Sequence, residues 1–95
     1  MFEIKIGESG EVRLSGRFDA AQAAAAGRVF DGITGTCAVD MTDLDYISSA
    51  GLGILLSTHK RLQDSGHRMT LKNPNQYIRR IFQISGLDRV FYVEE

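Results

Sequence analysis

The sequence predicts an α/β fold over residues 1–95: a mixed β-sheet, made of an N-terminal hairpin plus parallel strands, packed with about three to four helices. Three observations predict it. Apolar residues alternate with polar ones at Phe2, Ile4 and Ile6, and again at Val12 and Leu14, the period of half-buried strands. Short apolar runs then alternate with helical patterns, and strands separated by helices pair in parallel through right-handed crossovers. A length of 95 residues leaves room for one domain and no second.

The first elements follow in order. Glu3 and Lys5 separate the apolar residues of the first strand, and Arg13 those of the second. Gly7-Glu8-Ser9-Gly10 between them is a turn signal, so the two strands form a hairpin. Gly16-Arg17-Phe18-Asp19 leads into an alanine-rich helix over residues 20–30. Asp19 as N-cap, with Gln22 three residues on, fits the capping pattern, and alanine is the best helix former. Gly32 and Gly35 close this section. Cys37-Ala38-Val39-Asp40-Met41 reads as a strand buried on both faces, followed by a long loop over residues 42–47.

Leu52, Leu55, Leu56, His59 and Leu62 then share one helical face, with Lys60, Arg61, Gln63 and Asp64 opposite and Gly66 as the stop. Met69-Thr70-Leu71 is a short strand. Asn73-Pro74-Asn75-Gln76 starts the next helix, with Asn73 as cap and Pro74 at the first position. Ile78, Ile81 and Phe82 form its buried stripe, and Ser85-Gly86 end it. Val90-Phe91-Tyr92-Val93 is the last strand.

Composition removes several function classes. Lys and Arg number 11 against 12 Asp and Glu, for a net charge of −1. General nucleic-acid binding needs a basic excess, so no nucleic-acid partner is expected. The clusters His59-Lys60-Arg61, His67-Arg68 and Arg79-Arg80 read as solvated helix ends, since cations are favoured at helix C-termini. A chain this short buries only somewhat over ~60% of its unfolded surface, which favours a binding or switching module over an enzyme with a deep cavity. Cys37 is the single cysteine, so no internal disulfide forms, which suits a reducing cytosol. Met1-Phe2-Glu3-Ile4-Lys5 lacks a basic region followed by an apolar run. The longest strongly aliphatic run, Ile54-Leu55-Leu56, falls far short of the about 20 residues a membrane span requires. The expectation is a soluble, cytoplasmic protein with no membrane partner and no cofactor.

Chemistry concentrates at Ile47-Ser48-Ser49-Ala50-Gly51, where a loop enters a helix. A hydrolase nucleophile elbow requires Gly-x-Ser-x-Gly, and Ile47 stands at the first glycine. The only imidazole bases are His59 and His67, and His59 lies on the apolar helical face. Gly51-x-Gly53 starts like a dinucleotide fingerprint, but Leu56 occupies the third glycine position. Asp40, Asp43 and Asp45 read as a solvated acidic loop before a metal site. A phosphoacceptor serine fits better. A phosphate there faces unpaired backbone N–H groups and the positive end of the helix dipole, so the fold survives. It still adds about −1.5 to −2 charges to the surface and blocks a partner that covers the turn. The residues alone leave two readings open: acceptor, or plain N-cap.

Asp43-Leu44-Asp45-Tyr46-Ile47-Ser48-Ser49-Ala50-Gly51-Leu52-Gly53 resembles the signature of the STAS domain, the family of bacterial anti-sigma factor antagonists that also occurs at the end of sulfate transporters. Leu14-Ser15-Gly16-Arg17-Phe18-Asp19 resembles that family's lead into its first helix. Pro74 through Leu87, with Arg79-Arg80-Ile81-Phe82 and Ser85-Gly86-Leu87, resembles its last helix. The resemblance implies a mixed sheet with helices on one main side. It further implies a non-enzymatic antagonist that, when unphosphorylated, binds an anti-sigma factor that is also a serine kinase. The kinase phosphorylates a serine at the start of the second helix, and a PP2C-type phosphatase reverses this. Carried onto this sequence, the acceptor is Ser49, with Ser48 as rival. The partner-binding residues are Asp19, Ser48, Ala50, Gly51 and Leu52. Sporulation and stress members of the family have Asp where Ser48 stands and Ser or Thr where Ala50 stands. STAS proteins outside sigma-factor control also carry Ser-Ser-Ala-Gly-Leu. The alternative reading is therefore a constitutive interaction or ligand-sensing module.

Overall fold

The computed structural model of the protein describes residues 1–94; Glu95 lies outside them. One sheet contains β1 (Glu3–Ile6), β2 (Val12–Phe18), β3 (Cys37–Ile47), β4 (Met69–Lys72) and β5 (Tyr92–Glu94), side by side in that order. β1 pairs antiparallel with β2, and every other neighbouring pair is parallel. The crossovers carry α1 (Ala23–Asp31), α2 (Ser49–Asp64) and α3 (Gln76–Ser85).

Register separates the two faces. Val12, Val39, Leu71 and Val93 form one row across the sheet; Arg13, Asp40, Lys72 and Glu94 form the next. Successive strand residues point to opposite faces, so one face is apolar and the other charged. The apolar row joins the core with Ala26 and Phe30 of α1, Leu55 and Leu62 of α2, and Ile78 and Phe82 of α3. The helices therefore cover one face, as the resemblance implies, and the mixed α/β class holds.

Five local expectations are corrected. Residues 42–47 are not a loop but the second half of β3. Two register shifts against β2, between Arg13 and Ser15 and between Gly16 and Arg17, insert extra residues. Met41, Leu44 and Ile47 consequently reach the core at intervals of three, which hides the strand from a period-two reading. Nor is β3 buried on both faces: Val39 and Met41 are buried, while Ala38 and Asp40 on the other face are half-buried. At the bulge Gly16 adopts φ +84°, and a Cβ there would stand 1.6 Å from the Met1 carbonyl oxygen, so only glycine fits.

The alanine-rich segment does not start as one α-helix. Residues 20–22 form a 3-10 turn closed by Gln22 N–H donating to the Asp19 carbonyl at 3.1 Å, and the Asp19 side chain caps nothing. The third helix starts later than expected. Asn73 sits at φ +58°, a conformation asparagine tolerates, and the cap is Asn75, whose Oδ1 accepts from Ile78 N–H at 2.8 Å. Its Nδ2 donates to the Leu44 carbonyl at 3.0 Å, so one amide ties the start of α3 to the end of β3. Finally, a 3-10 turn at Leu87–Arg89 precedes β5, and Phe91 is buried before the strand begins.

The expected solvated clusters also change character. His59 is buried against Phe91, with ring centroids 5.6 Å apart. Arg61 is half-buried and donates to the carbonyls of Phe30, in the last turn of α1, and Ile33, just beyond it, both at 2.9 Å, tying α2 to the end of α1. Its charge partly offsets the burial that pushes the Cys37 thiol up.

On the charged face, Asp40 Oδ1 accepts from the Thr42 hydroxyl at 2.6 Å and from Thr42 N–H at 3.0 Å. The hydroxyl bond chiefly holds the Asp40 carboxyl below its ordinary value of 3.8; desolvation opposes it, and the Thr42 amide, Arg13 and Asn73 add smaller pulls downward. A carboxylate lowered in the folded state contributes stability above its unfolded value, and that contribution is lost as pH falls through the folded value. Solvent reaches this network, so the contribution stays within about 1 kcal/mol. Asp40→Asn is therefore expected to lower Tm slightly at pH 7 and to flatten the fall of Tm below about pH 4. Thermal melts of the two proteins across the acid range measure this.

Candidate functional site

β2 and β3 run in parallel and end together, since Phe18 and Ile47 are register partners. The chain leaves β2 through Asp19 into the 3-10 turn, and leaves β3 through Ser48 into α2. Ser48 N–H donates to the Phe18 carbonyl at 2.8 Å, extending the ladder by one bond. Both helical segments thus begin at the same end of the sheet, and the 3-10 turn packs against α2.

Ser48 has extended geometry, φ −85° and ψ 169°, and its Oγ accepts from Gly51 N–H at 3.1 Å. It is the N-cap, half-buried, with its hydroxyl already engaged. Ser49 is the first helical residue and is exposed, as is Ala50. Among the described residues the Ser49 hydroxyl makes no hydrogen bond. Gly51 is buried: a Cβ there would lie 3.0 Å from Ile47 Cγ1 and 3.1 Å from Phe18 Cγ. Of the five residues expected at a partner surface, Gly51 therefore lies beneath it and seats the turn on Phe18. Leu52 is half-buried and packs against the core.

Asp19 is half-buried beside this turn. Its Oδ1 is buried and finds no hydrogen-bond partner among the described residues, a state that costs about 1–3 kcal/mol. The first turn of α2 itself holds no acidic residue, so no charge within the helix offsets its positive pole there. His59 is turned toward Phe91 and Tyr92 beside β5, across the sheet from β2. Among the described residues no group of three or more His, Cys, Asp or Glu is placed to hold a metal ion. No helix among them is long and apolar enough to cross a membrane.

Three side chains near this end of the sheet escaped the sequence reading. Arg17 lies over Tyr46, its Cζ 4.2 Å from the ring centroid, and Tyr46 stacks with Tyr77 of α3 at 6.1 Å. Tyr46 was hidden in the supposed loop. Once the strand is extended, register pairs it with Arg17.

The architecture places the chain in a known structural class. It superposes on the Thermotoga maritima protein TM1081 with a TM-score of 0.82 at 24% identity, covering 99% of this chain and 86% of that one. It superposes on unphosphorylated SpoIIAA, an anti-sigma factor antagonist of Bacillus, with a TM-score of 0.75 at 23% identity, covering 98% and 87%. These likenesses establish the fold. Residues 4–94 match the profile of the family described as "Mlab, STAS domain", and the chain belongs to the STAS domain family. The anti-sigma F factor antagonist of Lysinibacillus sphaericus is 32% identical over 59 residues, 62% of this chain and 50% of that protein. The chain spans about half the length of the curated relatives it matches.

Proposed function

We propose that the protein is a phosphorylation-regulated anti-sigma factor antagonist without catalytic activity of its own, working in the cytoplasm. Unphosphorylated, it docks an anti-sigma factor/serine kinase through Asp19, Ser48, Ala50 and Leu52, with Gly51 holding the turn in place. The Ser49 hydroxyl attacks the γ-phosphorus of kinase-bound ATP. The new O–P bond forms as the bond to the ADP oxygen breaks, and the hydroxyl proton passes to the kinase. A PP2C-type phosphatase hydrolyses the ester and restores the docking surface.

One observation carries this reading. Ser48 spends its hydroxyl on the Gly51 amide, while Ser49 presents an exposed, unengaged one. That supports Ser49 over its rival Ser48. A phosphate on Ser49 adds about −1.5 to −2 charges beside the positive pole of α2, where the first amides of a helix have no intrahelical partner. The domain tolerates it, and a partner pressed onto the turn meets the added negative charge. The test is mass spectrometry after incubation with ATP and the anti-sigma kinase from the same genome. Phosphate on Ser49 is expected, and phosphate on Ser48 or elsewhere overturns the assignment. Ser49→Asp is expected to weaken partner binding at least about tenfold, while Ser49→Ala binds normally.

The matching family is described by Mlab and the STAS domain, and this supports a second reading: a constitutive STAS interaction or ligand-sensing module. In that case Ser49→Asp leaves partner binding unchanged.

A further inference from the structure

α3 carries Arg79 and Arg80 with no acidic residue anywhere in Gln76–Ser85, and no basic residue lies in its last turn. The arginines occupy the N-terminal half of the helix, not the solvated C-terminal end the sequence suggested. Cations there add to the positive pole of the macrodipole instead of offsetting it. This arrangement costs stability and concentrates positive potential.

A second observation lies at the same place. Gln76, Tyr77, Arg79, Arg80 and Gln83 line a surface groove of about 420 Å³, and none of these described residues carries a carboxylate. At its mouth Tyr77 is 51% exposed and stacks on Tyr46, which Arg17 covers from its own strand. Tyrosine and arginine are the residues that anchor protein interfaces, and here the stack fixes them before any partner arrives. The occupant complementary to this lining is anionic. It is also short. Asp88 lines a neighbouring groove together with Arg79 and Gln83. Its carboxylate disfavours a polyanion that runs on past the first groove, as a nucleic acid does.

We propose that the α3 groove, with the Arg17–Tyr46–Tyr77 stack at its mouth, docks a short acidic segment of a partner protein. Tyr46 lies two residues before Ser48, so the groove adjoins the α2 turn while using separate side chains. Its occupancy does not depend on Ser49.

The test titrates the isotopically labelled chain with a short capped peptide alternating glutamate and leucine, and follows backbone amide shifts. Controls are the same peptide with glutamine for glutamate, an oligothymidylate and anionic lipid vesicles. Expected are shifts confined to residues 76–83 and to Arg17 and Tyr46, weakening as salt rises. Arg80→Glu is expected to weaken binding about tenfold, and Tyr77→Ala to weaken it with Tm unchanged. Ser49→Asp leaves it intact, so failure of the switch reading and failure of this one are told apart. Absence of shifts, shifts elsewhere, equal binding of the glutamine peptide, or tighter binding of oligothymidylate or vesicles at the same residues overturns the proposal.

Discussion

Phe18→Ala is expected to cost about 3–5 kcal/mol, the range for truncating a buried phenylalanine. A small domain holds only about 5–15 kcal/mol in all. Phe18 is fully buried, stacks on Phe2 at a centroid distance of 4.5 Å and forms the bed on which Gly51 rests. The lost ring leaves a void under the first turn of α2, where no main-chain bond can close it. The backbone bond from Ser48 to the Phe18 carbonyl survives, so the strands stay paired while the helix start loosens. Tm is expected to fall by roughly 12 °C or more. Phe2→Ala, at a half-buried terminal position, is expected to cost clearly less. Circular-dichroism melts of the three proteins decide, and a loss below about 1 kcal/mol for Phe18→Ala removes Phe18 as the support of the site.

Why these elements were legible follows from their physics. β2, α2 and β4 obey simple periods, so Leu14, Leu55 and Leu71 could be assigned from spacing, whereas Ile6, at the end of β1, is exposed despite its place in the alternation. β3 obeyed none past Met41, because its bulges against β2 belong to the pairing and not to the strand's own residues. Asn73-Pro74 fits the cap-then-proline pattern, yet the cap is Asn75. The choice of Asn75 rests on its second bond, to the Leu44 carbonyl, a contact 31 residues away that no local rule contains. Asp19 looked like a cap because its spacing to Gln22 is right, yet the backbone carbonyl took the bond and left the carboxylate for other use.

The site was legible as a motif and illegible as geometry. Ser48 and Ser49 are chemically identical in sequence. The backbone of Ser48, its partial burial and the bond from Gly51 N–H separate a hydroxyl engaged as a cap from an exposed one that makes no bond. The Arg17–Tyr46–Tyr77 stack needs three elements, β2, β3 and α3, and the half of β3 that carries Tyr46 lacks a strand's period.

The two glycines of Gly51-Leu52-Gly53 are expected to respond with opposite signs, although both lie inside α2. At Gly53 a Cβ meets nothing within 4 Å, so Gly53→Ala gains the helix preference of alanine over glycine, about 0.5–1 kcal/mol. At Gly51 the same atom comes within 3.0–3.2 Å of Ile47 and Phe18, and both neighbours are held by the core. Gly51→Val adds two further methyl-sized groups at that contact. Overpacking of this kind costs about 1–3 kcal/mol and occasionally more, and the β-branched side chain gains less helix preference than alanine would. A net loss of about 3 kcal/mol is expected. The helix start lifts away from Phe18, and the Ser48 cap to the Gly51 amide is strained with it. If Gly51→Val melts like the parent, α2 is not seated on Phe18. Ser49 would then owe its exposure to something other than the close approach of helix and strand. Denaturant titration of both variants, with amide exchange at residues 49–52 as the local readout, separates a lifted turn from a general loss of stability.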